Sequence, residues 1–268
     1  MRVIDPHMHM VSRTTDDYQK MAVAGIRALT EPAFWAGFDR GSAEAFRVYF
    51  DQLTVHEPKR AAQYGIRHFT WICLNPKESE DLGLADEVLA IIPEYLGRSN
   101  VLGVGEIGLN KNSRNELEIF ERQLDIAARH DSLVLIHTPH LEDKLKGTRL
   151  ILDALRNHSS IRPERVLVDH AEEHTLGEIL DGGFWAGITL YPVTKTSPAR
   201  AVDMVDLYGT ERLCMNSAAD WGDADPLATL KAAQEMRLRG FSEAAVEKIF
   251  WSNPETFLGQ SDRFDLGT

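Results

Sequence analysis

The chain of 268 residues holds two cysteines, Cys73 and Cys214. Each sits in an apolar, strand-like run (Trp71-Ile72-Cys73-Leu74 and Leu213-Cys214-Met215) and is expected as a buried, reduced thiol packing as a small hydrophobe. So few cysteines exclude a thiolate zinc cluster or a disulfide framework. Long hydrophobic runs are missing too: none approaches the ~18 residues of a membrane span. No signal peptide precedes the first strand, so the cytoplasm is the expected compartment. Low-complexity sequence is absent and Pro/Gly linker signals are weak, which predicts one domain over residues 1–268. Positive charge is scarce, with 29 Lys and Arg against 41 Asp and Glu and a formal net charge of -12. That balance lacks the basic footprint of duplex-binding proteins. No tight duplex binding and no membrane partner are expected; the partner is a small-molecule substrate. A local positive site, such as metal ions, can still take a phosphate.

What the chain does have is alternation. Short apolar runs cover residues 3–4, 25–31 (GIRALTE), 65–75 (GIRHFTWICLN), 101–107 (VLGVGEI), 133–137 (LVLIH), 166–170 (VLVDH), 184–190 (FWAGITL) and 212–216 (RLCMN). Longer segments of helical period lie between them. The clearest opens with the capping box Ser113-Arg114-Asn115-Glu116 and carries Leu117, Phe120, Leu124, Ala127 and Ala128 on one face. Residues 226–238 and 242–250 read as helices, and Asn253-Pro254 as an N-cap followed by a first-turn proline. Eight such units predict a single-domain (β/α)8 barrel of α/β class, with a doubly wound sheet as the competitor.

Barrel chemistry collects where strands end. The first strand runs into His7-Met8-His9; residues two apart on a strand point the same way, so two imidazoles converge there. The fourth strand ends in Gly105-Glu106-Ile107-Gly108, the fifth in His137-Thr138-Pro139-His140 and the sixth in Asp169-His170. The eighth is followed by Asn216-Ser217-Ala218-Ala219-Asp220-Trp221. Histidine and carboxylate donors around open positions are what a hydrolytic divalent-metal site requires, and two metals can share a bridging carboxylate. The alternative is a set of hydrogen-bonded core imidazoles with a buried, paired acid.

The segments "HMH", "VGEIGLN", "LIHTP", "DH" and "AAD" resemble those of TatD-like metal-dependent hydrolases, a branch of the amidohydrolase superfamily, from His7 to "SNPETFLG". The resemblance implies a (β/α)8 barrel with two, sometimes three, divalent ions, with Zn, Mn and Mg as candidates. It implies His7, His9, Glu106 and Asp220 around one metal and Glu106, His137 and His170 around the other. Asp220 would also deprotonate the attacking water, which makes Asp220 and Glu106 the candidate catalytic pair. The sequence departs from the family at Asn110, where an Asp is usual, in "NSAADWGDADP" and in "VSRTTDDYQKMAVAG". These departures bear on substrate more than on metal. Family members are called DNases, and some remove acyl groups from tRNA.

Candidate substrate contacts are Arg13, Glu31, His140 and Trp221, each with a bland counterpart: surface Arg, loop carboxylate, bystander His, exposed indole. Lys144 and Lys195 are weaker candidates. His68 reads as structural and Trp185 as core. The expected function is hydrolysis of a phosphoester, ester or amide by metal-activated water. A 3'-5' DNA exonuclease-type phosphodiesterase, a mononuclear decarboxylase or deaminase, and a metal-binding barrel acting as partner or scaffold are the alternatives.

Overall fold

Eight apolar runs become eight strands in the computed structural model, which describes residues 1–139 and 142–267. They are β1 (Val3–Asp5), β2 (Ile26–Pro32), β3 (Arg67–Ile72), β4 (Val101–Gly108), β5 (Leu133–His137), β6 (Val166–Asp169), β7 (Trp185–Thr189) and β8 (Leu213–Asn216). All pair in parallel in sequence order. Beyond β8, the Ala218 amide donates to the His7 carbonyl and the His9 amide to the Ala219 carbonyl, each at 2.8 Å. Asp5 tightens the same seam, accepting from the backbone amides of His7 and Ser217. Burial pushes its carboxyl up to about 7. The ring is thereby nearly closed, and the fold is the (β/α)8 barrel that the alternation predicted.

The helices are α1 (Thr15–Ala24), α2 (Ala43–Asp51), α3 (Glu57–Ala62), α4 (Leu82–Leu96), α5 (Arg114–Arg129), α6 (Lys144–Asn157), α7 (Leu176–Asp181), α8 (Pro198–Tyr208), α9 (Ala228–Leu238), α10 (Glu243–Glu247) and α11 (Asn253–Leu258). α5 opens on the expected capping box: the Ser113 hydroxyl accepts from the Glu116 amide, and Glu116 accepts from the Ser113 amide. Asn253 does not cap a helix. A π-helical turn over Lys248–Ser252 joins α10 to α11, so Asn253 is helical, and its Nδ2 instead donates to the Thr210 and Leu213 carbonyls beside β8.

Every strand feeds one interior cluster that includes Ile4, Ala28, Trp71, Leu135, Cys214 and the C-terminal pair Phe257 and Leu258. Full burial of each large side chain here contributes ~1.5–3 kcal/mol. A larger cluster fills the space between strands and helices. Both cysteines are free and buried, as expected. Among the described residues, no helix is long and apolar enough to cross a membrane.

Candidate metal centre

Two glycines make room for the site. Gly108 ends β4 at φ +142°, and a Cβ there would stand 2.1 Å from the His137 carbonyl oxygen. At Gly187 on β7 a Cβ would lie 2.2 Å from Asp169 Oδ1. Only glycine lets these backbones approach so closely. Two residues before Gly108, the β4–β5 register shifts at Glu106, a bulge that re-aims one side chain.

His7 and His9 leave β1 with their Nε2 atoms 3.0 Å apart. Glu106 Oε2 stands 3.8 Å from His7 Nε2, 2.9 Å from His137 Nδ1 and 3.4 Å from His170 Nε2. Asn75 Nδ2 donates to the other carboxylate oxygen, Oε1, at 3.3 Å. Among the described residues, three ligand groups form: His7, His9 and Glu106; Glu106, His137 and His170; and His7, Asp169 and His170. Glu106 links the first two. All these side chains are buried.

The remaining ring nitrogens decide which lone pairs face inward. Asp169 Oδ2 lies 2.5 Å from His7 Nδ1, and Thr189 Oγ1 lies 2.6 Å from His170 Nδ1. With protons on those two nitrogens, both Nε2 atoms are free to ligate. Asp169 Oδ1 also accepts from the His170 amide and Asn216 Nδ2. Burial works against the charge on Asp169; the facing His170 and His7 and their hydrogen bonds outweigh it, holding the carboxyl below its usual range. Burial likewise opposes the Glu106 charge, but His137 and His7 keep that carboxyl ionised. His9, His137 and His170 are all pushed toward the neutral form, chiefly by burial. His7 is raised: burial lowers it, but Glu106 and Asp169 prevail. Three mainly neutral imidazoles around an ionised carboxylate, with a fourth oriented by a buried acid, form a donor set that fits divalent cations.

The donors floor a cavity of about 200 Å³ walled by Phe34, Trp35, Tyr191, Lys195, Asp220 and Trp221. Phe34 stacks on His9 with ring centroids 3.7 Å apart. Lys195 Nζ reaches to 3.4 Å from His170 Nε2, and burial pulls its pKa below the usual lysine value. A larger depression of about 720 Å³ between α4 and α5 carries the pairs Arg122 with Asp86 at 2.5 Å and His158 with Asp125 at 3.1 Å, and Arg129, which donates to the Asp125 carbonyl. It gathers none of these donors.

Residues 4–259 match the family described as TatD related DNase. The chain belongs to this TatD family. It is 24% identical over 258 residues to a protein described as an uncharacterized metal-dependent hydrolase of Methanocaldococcus jannaschii, covering 95% of this chain and 99% of that one. The crystal structure of the TatD-like protein of Archaeoglobus fulgidus superposes with a TM-score of 0.78 at 26% identity, covering 96% of this chain and 99% of the other. The phosphotriesterase homology protein of Escherichia coli, solved with phosphate in its active site, shares the fold at TM-score 0.67 and 14% identity, over 96% and 98% of the two chains. This TatD-family chain is a metal-dependent hydrolase.

Within the TatD-family barrel, the sequence candidates separate. His7, His9, Glu106, His137 and His170 come together. Asp220 lines the cavity but stands outside the ligand groups; its Oδ1 accepts from Tyr191 Oη at 2.9 Å and from the Gly222 amide at 2.8 Å. Trp221 is a cavity wall. Arg13 and Glu31 are not among the residues lining the cavity. Arg13 is spent on Asp17, at 2.9 Å, and on the Asp220 carbonyl, at 2.8 Å, so it braces the loop after β8 instead of facing substrate. Glu31 is fully buried, bonded to His68 at 2.7 Å and to the Val11 amide at 2.7 Å. His140 lies outside the described residues. Sequence reasoning missed Asp169 and two residues that line the cavity, Asn75 and Lys77. Asp169 and Asn75 each end a strand-like run, and that position was the available signal.

Proposed function

We propose that the chain is a dinuclear hydrolase of the amidohydrolase superfamily that cleaves a phosphoester of a small molecule, with other esters and amides as wider members of the same chemistry. One observation carries the reading: a single carboxylate oxygen, Glu106 Oε2, faces His7 on one side and His137 and His170 on the other within 3.8 Å. His7, His9 and Glu106 would hold one cation, and Glu106, His137 and His170 a second. Nitrogen-rich donors favour zinc over magnesium or manganese. Bound there, the cations supply Lewis acidity and lower the pKa of water.

The chain's own residues do the rest. Asp169 and Thr189 hold protons on His7 Nδ1 and His170 Nδ1, keeping the inward nitrogens bare. Asn75 fixes the plane of the Glu106 carboxylate. Lys77 and Lys195 offer positive charge to an anionic group, which favours phosphoryl over neutral acyl substrates. Asp220, its Oδ1 held by Tyr191 and Gly222, accepts the water proton on Oδ2 and returns it to the leaving oxygen. The net charge of -12 and the small cavity favour a small phosphoester over a long duplex.

The test is metal counting on zinc- or manganese-reconstituted protein, with turnover of bis(p-nitrophenyl) phosphate, p-nitrophenyl phosphate, p-nitrophenyl acetate and a p-nitroanilide. Two ions per chain and chelator-sensitive phosphoester cleavage are expected. A single ion, or acetate and anilide turnover without phosphoester turnover, refutes the corresponding half of the reading.

A further inference from the structure

The cavity does not end at Trp221. That indole, 56% exposed, is a wall of the cavity and also of an apolar groove of about 630 Å³. One loop lines both: Phe34 and Trp35 face the cavity, Ala36 and Phe38 the groove. Val11, two residues past His9, and Ala45 and Val48 of α2 add to the groove's apolar lining. Arg40, the charged side chain of this lining, is already committed. Its Nη1 donates to both Glu78 carboxylate oxygens, at 3.0 and 2.9 Å, and to the Phe34 carbonyl, and its guanidinium lies 3.7 Å from the Tyr49 ring centroid. Phe38 and Val48 are 66% and 65% exposed. Several large apolar side chains left open around one groove mark a binding surface rather than scattered surface hydrophobes.

We propose that this groove is the subsite for an apolar arm, alkyl or aryl, of the substrate whose anionic group sits in the metal cavity. The inference rests on the function proposed above for the anion's place, and continuity argues for the occupant. A molecule crossing the Trp221 rim keeps its anionic head near Lys195 and His170 while its tail lies between Phe38 and Val48. The cavity, at about 200 Å³, accommodates the head and few further atoms. Ser12, Tyr49 and Gln52 also line the groove, but its one charged side chain is already committed, so a charged arm finds no free partner there, whereas each buried methylene contributes roughly a fourfold factor in affinity.

The experiment titrates zinc-loaded protein calorimetrically with methylphosphonate and hexylphosphonate. Hexylphosphonate is expected to bind roughly tenfold or more tightly, as partial burial of the chain allows. The Phe38→Ser/Val48→Asn variant should shrink that ratio to within about threefold, since a polar lining no longer rewards methylenes. Leu207→Asn, at an exposed position of α8 outside the groove, should preserve it. The groove also has a readout of its own: 1-hexanol should shift the Val11 and Val48 methyl signals of carbon-13-labelled protein. Failure of methylphosphonate to bind, with the hexanol shifts present, counts against the phosphoester reading and supports the groove. Equal affinity for the two phosphonates, or no hexanol shift at either valine, overturns the groove. So does equal phosphonate affinity with a wild-type dimer that the double variant makes monomeric, which assigns the face to a second copy of the chain.

Discussion

His7 Nδ1 and Asp169 Oδ2 stand 2.5 Å apart with both side chains fully shielded from solvent. This contact makes β6 a partner of the β1 histidine pair across the barrel mouth. It sets the His7 tautomer, and with it the direction of the Nε2 lone pair that meets His9 and Glu106. Asp169 also collects the His170 amide and Asn216 Nδ2, so one buried acid orients both ligand groups.

Asp169→Asn should therefore weaken metal binding without touching a proposed ligand. The amide keeps one acceptor but turns a donor toward the His170 amide or Asn216 Nδ2, or toward His7 itself. Loss of roughly 10- to 100-fold in zinc affinity is expected, the usual consequence of removing a carboxylate behind a ligating imidazole. Chelator competition at neutral pH measures it. Affinity within twofold of the parent would show that His7 is oriented by other means.

Glu106→Gln tests the shared carboxylate. An amide offers one weak oxygen donor and no charge, and two of the three ligand groups, those proposed to hold the cations, contain this residue. Metal counted after dialysis should fall at both positions together. If the variant retains two ions per chain, Glu106 is no bridge; if it loses one only, the two groups bind independently.

The candidate donors legible in the sequence are those whose position relative to one strand suffices. His7 and His9 share a parity just past β1, Glu106 lies near the end of β4, His137 ends β5 and His170 follows β6. Asp169 was hidden by that same rule, because neighbours on a strand face opposite ways. His170 has left the strand at φ 59°, so both side chains reach the network. The pairing of Glu31 is not legible in the sequence because its partner, His68, is 37 residues away, and their meeting depends on the β2–β3 register, Leu29 opposite His68. The pairing of Arg13 is legible, because its Asp17 partner sits at the helical spacing i+4.

Lys144 provides a pH signature of the fold. Its buried ammonium donates to Thr138 Oγ1 and the Pro139 carbonyl, with Glu172 3.8 Å away, and burial lowers its pKa from 10.5 to about 8. Between those values the unfolded chain binds more protons than the folded one, so this residue makes stability rise with pH from about 8 to 10.5. Below pH 8 the cost of the buried charge is fully present. Lys144→Met removes the titration while keeping length. The stability of the parent relative to this variant should climb by up to ~3 kcal/mol across that window, read from urea midpoints at several pH values. Parallel curves would place the lysine's ionisation outside it.

Asp220 carries the proton in the proposed chemistry, and its surroundings separate that role from ligation. Tyr191 Oη and the Gly222 amide both bond Oδ1, and Arg13 braces the residue's carbonyl from behind. The carboxylate is thus aimed from the cavity wall, apart from the imidazoles that would hold the cations. Asp220→Asn preserves shape and an oxygen but removes the acceptor. Turnover of bis(p-nitrophenyl) phosphate should drop at least ~10²-fold, the low end of general-base contributions, while zinc content stays at the parent's level. Tyr191→Phe, which removes one bond to Oδ1 and leaves the base, should cost less than Asp220→Asn and act on kcat more than on KM, because the proton acceptor loses orientation and not charge. A joint fall in metal content and turnover in Asp220→Asn would make the residue a ligand instead. Turnover within a few-fold of the parent at full metal content would remove it from the reaction and leave the proton to Lys195 or to solvent.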